Sequence, residues 1–227
     1  MNAIENIETT YREILAGLGE GVQLVAVSKT QPAGQIMALH AAGQRDFGEN
    51  YVQELVDKQA ALPADIRWHF IGHLQSNKVK YIASFVHLIQ GVDSLRLLKE
   101  IDRQAAQKGR VIDCLLQVHI AREETKFGLD ASELDLLMTG AGPGAYANIR
   151  VRGLMGMASF TDDREKVREE FSGLKALFDK YAAFFSSGAD PGQGPILSMG
   201  MSGDYLLAME EGSTMVRIGS LLFGKRG

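Results

Sequence analysis

The residue of this chain best placed for chemistry is Lys29, which ends a run of mostly aliphatic residues, Val22 to Lys29 (VQLVAVSK). Such a run predicts a strand that is buried on both faces. A lysine at its end is flanked by apolar walls, which favour the neutral, nucleophilic amine over the ammonium ion. We therefore expect Lys29 to be able to form a Schiff base with a carbonyl compound. A surface lysine that closes the strand before the turn at Pro32 is the alternative interpretation.

Two segments that contain glycine and serine, both near the C-terminus, predict a phosphate site. Ser202, in MGMSGDY, precedes a short helix predicted from about Gly203 to Glu210. Gly219 and Ser220, in VRIGSLLFG, lie at the start of another predicted helix. Backbone N–H groups at a helix start, together with a nearby hydroxyl, bind phosphate oxygens. Glycines that only make turns are the simpler interpretation of both segments.

Arg217 is a charged residue within the last aliphatic run of the chain. It lies two residues before Gly219, so the two positions share one face of the predicted strand. Burying an arginine among aliphatic residues is costly unless it finds an acceptor, so we expect its acceptor in the site. A structural salt bridge with a carboxylate is the alternative.

Eight short β-rich runs, each followed by a helical stretch, must position these residues. The runs are Val22–Lys29, Arg45–Glu49, Arg67–Gly72, Val86–Val92, Val111–Ile120, Ile149–Met157, Pro195–Met199 and Thr214–Gly219. Alternating strands and helices predict a parallel sheet, and eight units in 227 residues fit an α/β fold with one closed (β/α)8 barrel of the TIM type. An open doubly wound sheet is the structural alternative.

A closed barrel would bring the chemical residues together at the carboxyl ends of its strands, where sites of this fold lie. Strand one neighbours strand eight when the barrel closes. Lys29, Ser202 and Gly219 are then expected within the span of a small phosphorylated ligand, about 10 Å or less.

Composition and charge exclude several classes of protein. Hydrophobic residues make up 45% and charged residues 23% of the chain, so we expect one globular domain over 1–227, with an N-terminal helix in 1–20 and the barrel from about residue 22. The net charge of −4 argues against a nucleic-acid partner. The single cysteine, Cys114, and five histidines without metal-ligand spacing predict no disulfide and no metal site. We see no secretion signal and no membrane-spanning run, so we expect no membrane partner and a cytoplasmic location.

Several sequence blocks, taken together and in order, resemble one known family. They include AVSKTQP, FGENYVQE, WHFIGHLQSNK, QVHIAREETKFG and LSMGMSGDYLLAMEEGSTMVRIGSLLFG, and they run from strand one to the C-terminus. The chain resembles the pyridoxal phosphate homeostasis proteins of the YggS/PROSC type, which are similar in fold to the N-terminal barrel of alanine racemase. The resemblance implies pyridoxal 5′-phosphate (PLP) as cofactor, held as an imine on the lysine of the SK motif, which is Lys29 here.

Carried over by motif, the resemblance also implies roles for the other candidate residues. Ser202, Gly219 and Ser220 would hold the phosphate of PLP. Arg217 would face the pyridine nitrogen, and Asn50 of the FGENYVQ block would lie near the ring.

Two further polar residues match the family's blocks without an assigned role. His73 and Lys126 are placed by the resemblance at the mouth of the barrel. For His69 and His73 a hydrogen-bonded packing role is the simpler interpretation. The chain departs from the family's usual residues at Gln31, Ser76 and His119, which changes the charge at the rim of the site.

The sequence predicts a PLP carrier without a catalytic residue rather than an enzyme. PLP withdraws electrons most strongly when its ring nitrogen is protonated, and Arg217 cannot accept a proton there. The chain ends at FGKRG, so we expect no second domain to supply a catalytic base. We therefore expect intracellular PLP homeostasis or delivery without robust turnover, by a monomer whose partners are PLP and PLP-dependent apo-enzymes.

Two enzyme classes remain as alternatives. The first is a PLP-dependent amino-acid racemase or another weak PLP enzyme. The second is a (β/α)8 enzyme that uses Lys29 as an aldolase-type amine on a free phosphorylated substrate.

Overall fold

A computed structural model describes residues 3–121, 127–140, 145–185 and 194–224. Within these ranges, parallel strands form a closed barrel in the order β1 to β8. The strands are β1 (Gln23–Val27), β2 (Asp46–Glu49), β3 (Arg67–Phe70), β4 (Leu88–Val92), β5 (Ile112–Val118), β6 (Ile149–Gly156), β7 (Ile196–Ser198) and β8 (Met215–Ile218). The predicted (β/α)8 barrel is thus confirmed, and the open doubly wound sheet is wrong.

Helices separate the strands along the chain. They are α1 (Ala3–Gly17), α2 (Ala33–Ala41), α3 (Val52–Ala61), α4 (Val79–Ile82), α5 (Leu95–Gln107), α6 (Ala131–Thr139), α7 (Arg164–Lys180), α8 (Tyr205–Glu210) and α9 (Ser220–Phe223). Short 3₁₀ turns precede α4 and follow α7. None of the helices in the described ranges is both long enough and apolar enough to cross a bilayer.

Strand β1 ends earlier than its aliphatic run suggests. Strand one was expected to reach Lys29, but β1 stops at Val27, and Ser28 and Lys29 lie in the following turn. Thr30 has φ 63°, in the left-handed region, which bends the chain away from the sheet. Lys29, the residue of this run that is suited to chemistry, therefore lies in the loop after the strand.

The core has two layers. The larger layer lies between the strands and the surrounding helices and includes fully buried Phe47 and Phe171. The smaller layer fills the inside of the barrel with Val25, Leu88, Leu115, Met155 and Met215.

The barrel closes between β1 and β8, where Val25 lies opposite Arg217 and Ala26 opposite Ile218. The neighbouring contact of β7 with β8 is the shortest around the barrel, with one paired position, Ser198 with Met215. This closure brings the carboxyl ends of β7, β8 and β1 side by side.

Candidate functional site

Lys29 lies half-buried in the turn that follows β1. Two hydrogen bonds shape this turn: the Gln31 N–H donates to the Ser28 carbonyl at 3.0 Å, and the Thr30 N–H donates to Glu54 Oε1 at 2.5 Å. A left-handed residue other than glycine is strained, and the bond to Glu54 on α3 holds Thr30 in place. The position of the Lys29 backbone is therefore set by α3 as well as by β1.

Lys58 of α3 is the centre of the network that supports this turn. Its Nζ donates to the Ser28 carbonyl at 2.7 Å, to Glu49 Oε1 at 2.8 Å and to Glu54 Oε1 at 2.7 Å. Ser28 Oγ also donates to Glu49 Oε1, at 2.6 Å. Burial raises the pKa of the Glu49 carboxyl, and the hydrogen bonds from Lys58 and Ser28 oppose that rise. Sequence reasoning missed this network, although the acidic and basic residues of FGENYVQELVDK are its signal.

Ser202 and the start of α9 lie together where the sequence predicts a phosphate cradle. Ser202 Oγ accepts hydrogen bonds from the backbone N–H groups of Gly219 and Leu221, each at 3.2 Å. Ser220, the first residue of α9, is exposed beside them. The structure thus brings Ser202, Gly219 and Ser220 together, and a hydroxyl and two N–H groups converge at one point.

Gly219 allows the cradle to lie against the end of β1. A Cβ at this position would lie 3.2 Å from Val27 Cβ and 3.3 Å from the Val27 carbonyl oxygen. Since Lys29 follows Val27 by two residues, the lysine turn and the phosphate cradle are neighbours across the closure of the barrel.

Arg217 points into the barrel and is only 3% exposed. Its Nη1 donates to Ser198 Oγ at 2.6 Å and its Nη2 to the Gly156 carbonyl at 3.0 Å. Among the described residues no carboxylate forms an ion pair with it, so the expected alternative of a salt bridge is not observed. Burial lowers its pKa to about 10, against the opposing influence of Asp204, so the guanidinium stays charged at neutral pH.

Asn50 lies directly after β2 at the mouth of the barrel. Its Oδ1 is buried and has no hydrogen-bond partner among the residues that the structure describes. A buried amide oxygen without a partner costs about 1–3 kcal/mol, so the side chain is suited to a ligand that supplies one. An amide carries an acceptor oxygen and a donor NH2 group, so Asn50 can offer either to a ligand.

The remaining candidates divide into three cases. His73 is partly exposed, contacts Asp93 Oδ2 through Nδ1 at 2.9 Å and stacks on the ring of Phe127 at 4.0 Å. Lys126 lies outside the described residues. His69 is fully buried inside the barrel and hydrogen-bonded on both ring nitrogens, as a packing histidine would be.

One trio with metal-ligating side chains lies at the amino-terminal end of the barrel, away from Lys29. The ligand atoms of Asp46, His69 and His87 are within 4.8 Å of one another. The Asp46 carboxylate already accepts two hydrogen bonds from Arg67 and one from His69. In this structure Asp46 is therefore already engaged by Arg67 and His69.

Sequence reasoning also missed the polar residues inside the barrel. Gln90 and Ser198 are fully buried on β4 and β7 and hydrogen-bond to each other at 2.7 Å. Their signal is visible in the runs VHLIQGV and PILSM, where a polar residue interrupts an aliphatic strand. Such a residue must find a partner, and the alternation of the strand indicates which face it lies on.

Comparisons with known proteins show the family to which the chain belongs. The family model described as "Alanine racemase, N-terminal domain" matches residues 3–227. The pyridoxal phosphate homeostasis protein of Aquifex aeolicus is 39% identical to this chain over 237 residues, covering 100% of this chain and 99% of that protein. The human protein of the same name is 37% identical over 214 residues, covering 90% of this chain and 76% of that protein.

Solved structures give the same picture. PipY of Synechococcus elongatus, solved with PLP bound, has a TM-score of 0.83 at 35% identity, covering 96% of this chain and 100% of that one. The alanine racemase of Bartonella henselae has a TM-score of 0.73 at 18% identity, covering 98% of this chain and 61% of that one. At that identity the second likeness concerns the fold alone.

Proposed function

Because this chain belongs to the pyridoxal phosphate homeostasis proteins, which have the barrel of the alanine racemase N-terminal domain, we propose that Lys29 is the residue through which it binds PLP. The chain is a PLP-binding protein of PLP homeostasis. We further propose that it buffers or delivers PLP to apo-enzymes without robust catalytic turnover. One observation carries the choice of residues: the Lys29 turn and the cradle of Ser202 and Gly219 adjoin at the closure of β1 with β8.

The described residues fit PLP in three independent ways. The hydroxyl and N–H groups at Ser202, Gly219 and Leu221 suit a phosphate. Asn50 Oδ1, which has no hydrogen-bond partner among the described residues, marks an amide that suits a polar group of the ring. The Arg217 guanidinium, buried without a carboxylate among the described residues, suits an uncharged ring nitrogen that accepts a hydrogen bond.

When bound, PLP supplies an aldehyde that reacts with amines and a ring that withdraws electrons. In our proposal the turn at Ser28 and Thr30 presents the Lys29 amine, and Lys58 holds that turn against β2 and α3. Ser202 and Gly219 hold the phosphate. The site then binds and orients its ligand with Arg217 of β8 and with groups from the segments that follow β1, β2, β7 and β8.

Arg217 favours a carrier over an enzyme. A guanidinium donates hydrogen bonds and does not accept a proton, so it leaves a ring nitrogen opposite it unprotonated. An unprotonated ring withdraws electrons weakly, which disfavours reactions through a carbanion. A PLP-dependent racemase is the second candidate, because the family model of the alanine racemase N-terminal domain matches residues 3–227.

The experiment that tests the proposal is reduction of the PLP-loaded protein with borohydride, followed by peptide mass mapping. We expect the pyridoxyl group on the peptide that contains Lys29, and we expect Lys29→Ala to lose the visible absorption of bound PLP while keeping the far-UV circular dichroism of the wild type. Lys78→Ala is the matched control, because Lys78 is exposed on the rim. A label mainly on Lys78 or Lys126 would overturn the assignment of Lys29.

A further inference from the structure

A line of polar side chains crosses the inside of the barrel from Arg217 to the opposite end. Its members are Arg217, Ser198, Gln90, His69 and Asp46, which come from β8, β7, β4, β3 and β2. All are at most 5% exposed. Polar groups buried in an otherwise apolar interior are costly unless each one is hydrogen-bonded.

Four hydrogen bonds join these residues. Arg217 Nη1 and Ser198 Oγ are 2.6 Å apart, and Ser198 Oγ and Gln90 Oε1 are 2.7 Å apart. Gln90 Nε2 lies 3.0 Å from His69 Nδ1, and His69 Nε2 lies 3.0 Å from Asp46 Oδ1. Beyond Asp46 the line ends in a surface ion pair, where Arg67 Nε and Nη2 donate to the carboxylate at 2.7 and 2.5 Å.

The two ends fix the direction of every bond between them. A guanidinium only donates, so Ser198 Oγ accepts from Arg217 and gives its own proton to Gln90 Oε1. The Gln90 amide N–H then donates to His69 Nδ1, which must be unprotonated. His69 therefore carries its proton on Nε2 and donates it to the Asp46 carboxylate, which only accepts. All four donors point away from the site, and aligned bonds of this kind strengthen one another.

We propose that Gln90, His69 and Asp46 are positioning residues for the cofactor, because this chain of hydrogen bonds fixes the guanidinium of Arg217 against the ring nitrogen of PLP. The inference rests on the proposed function for the identity of the ligand. Nη1 is committed to Ser198 and Nη2 to the Gly156 carbonyl, so the plane of the guanidinium is held at two points. The N–H groups that remain are then oriented for a single acceptor. None of the three residues touches the ligand itself.

The same end of the barrel offers a matched control. Asp113 is buried to a similar degree as Asp46, with 7% and 5% exposed. It accepts from Arg150 Nε at 2.6 Å and from Arg152 Nη1 at 2.7 Å, not from the chain of residues that leads to Arg217. Asp113→Asn therefore removes a buried carboxylate from the same region and leaves the hydrogen bonds that lead to Arg217 intact.

The first test needs no ligand. In ¹⁵N-labelled protein, long-range ¹H–¹⁵N correlation spectra should show His69 with its proton on Nε2, the signal being assigned by its loss in His69→Gln. Gln90→Glu keeps the size of the side chain but places an ionised carboxylate against Nδ1. We expect this variant to move a proton onto Nδ1. An Nδ1–H tautomer in the wild type, or an unchanged spectrum in Gln90→Glu, would overturn the proposed series of hydrogen bonds.

The second test compares PLP with 1-deaza-PLP, in which the ring nitrogen is replaced by CH. Gln90→Leu and Asp46→Asn should raise the Kd for PLP about tenfold and shift its visible band, while Asp113→Asn stays within about twofold of the wild type. For 1-deaza-PLP all variants should bind alike, because the acceptor that Arg217 serves is missing. Equal losses for both compounds would mean a merely structural role and overturn the proposal.

The two tests also separate this inference from the proposed function. If the wild type takes up no PLP, the proposed function fails, but the tautomer of His69 still tests the hydrogen bonds between Arg217 and Asp46. If Lys29→Ala loses PLP but Gln90→Leu and Asp46→Asn bind both compounds like the wild type, the function stands and the inference is wrong. If the leucine variant does not fold, Asp46→Asn alone carries the binding comparison.

Discussion

Ser202 contributes one hydroxyl to the cradle, and its removal isolates the part of the affinity that depends on phosphate. A charge-assisted hydrogen bond is worth about 1.5–3 kcal/mol, so Ser202→Ala should weaken PLP binding about ten- to a hundredfold. Titration of the protein with PLP and with pyridoxal, followed by absorbance, measures this effect. The pyridoxal affinity should not change in the variant. Wild-type protein that binds pyridoxal as tightly as PLP would contradict a phosphate site here.

Gly219→Val should weaken PLP binding more than Ser202→Ala does. Its Cβ would already lie 3.2 Å from Val27 Cβ, and the two branches of valine would force the start of α9 away from β1. The two N–H groups that meet at Ser202 Oγ would then no longer converge. The same titration measures the loss, and retained affinity would show that the cradle lies elsewhere.

Arg217 distinguishes a carrier from an enzyme. With excess L-alanine, the wild type should convert its bound PLP to pyridoxamine phosphate slowly or not at all, since the ring nitrogen stays unprotonated. Arg217→Glu offers that nitrogen a carboxylate that stabilises its proton, so single-turnover conversion should become faster, although the affinity for PLP should fall. Fast steady-state turnover by the wild type would favour the racemase alternative. An unchanged rate in the variant would mean that Arg217 does not face the ring.

At the scale of elements, the amino-terminal ends of β2, β3 and β4 form a cluster of titrating groups that makes the fold sensitive to acid. Burial lowers the pKa of His87 to about 4 from its ordinary 6.5. The unfolded chain takes up this proton near pH 6.5 and the folded protein only near 4, so acid favours unfolding within this window.

The free energy of unfolding should therefore fall as the pH drops from about 6.5 towards about 4, by up to about 3 kcal/mol from His87 alone. Above about pH 7.5 this contribution is constant. Urea denaturation of the wild type and His87→Gln at several pH values measures it, and the variant should have the flatter profile between these limits. If the free energies of unfolding of the two proteins changed in parallel with pH, His87 would have the same pKa in the folded and the unfolded state.

The elements were predictable from sequence wherever a pattern is local. The aliphatic runs indicated the strands and the alternation with helices indicated the barrel, because burial on both faces leaves a continuous apolar signature. Lys29 and Ser202 could be predicted for the same reason, since they follow such runs directly. Where β1 ends could not be predicted, because Thr30 is held in its left-handed conformation by Glu54, which is distant in sequence.

The line of residues behind Arg217 is also hidden from local patterns. Gln90, His69 and Asp46 come from three strands, and only the register of the closed barrel shows that they touch. The sequence indicated that a buried Arg217 needs an acceptor, but a carboxylate and a hydroxyl would have satisfied that requirement equally. The observed acceptors are Ser198 and the Gly156 carbonyl.

For the whole molecule, a monomer stays a prediction. The most exposed large apolar residues, Phe160, Leu136 and Tyr51, lie on three separate parts of the chain, and scattered apolar residues do not make an interface. Light scattering should give a mass near 24.8 kDa with and without PLP. A mass of about twice that value would contradict the prediction.

Because the contact between β7 and β8 is short, we expect the barrel to become more rigid there when PLP binds. A ligand bound to Lys29, Ser202 and Gly219 would reach across this contact, from the turn after β1 to the loop after β7. Since the ligand makes all these contacts only when the barrel is closed, its binding stabilises the closed barrel. Hydrogen exchange should then slow in Ile196–Ser198 and Met215–Ile218 on loading with PLP, while exchange in β5 stays the same. The bound ligand would thus link β1 to the loop after β7, and the barrel would be more rigid with PLP than without it.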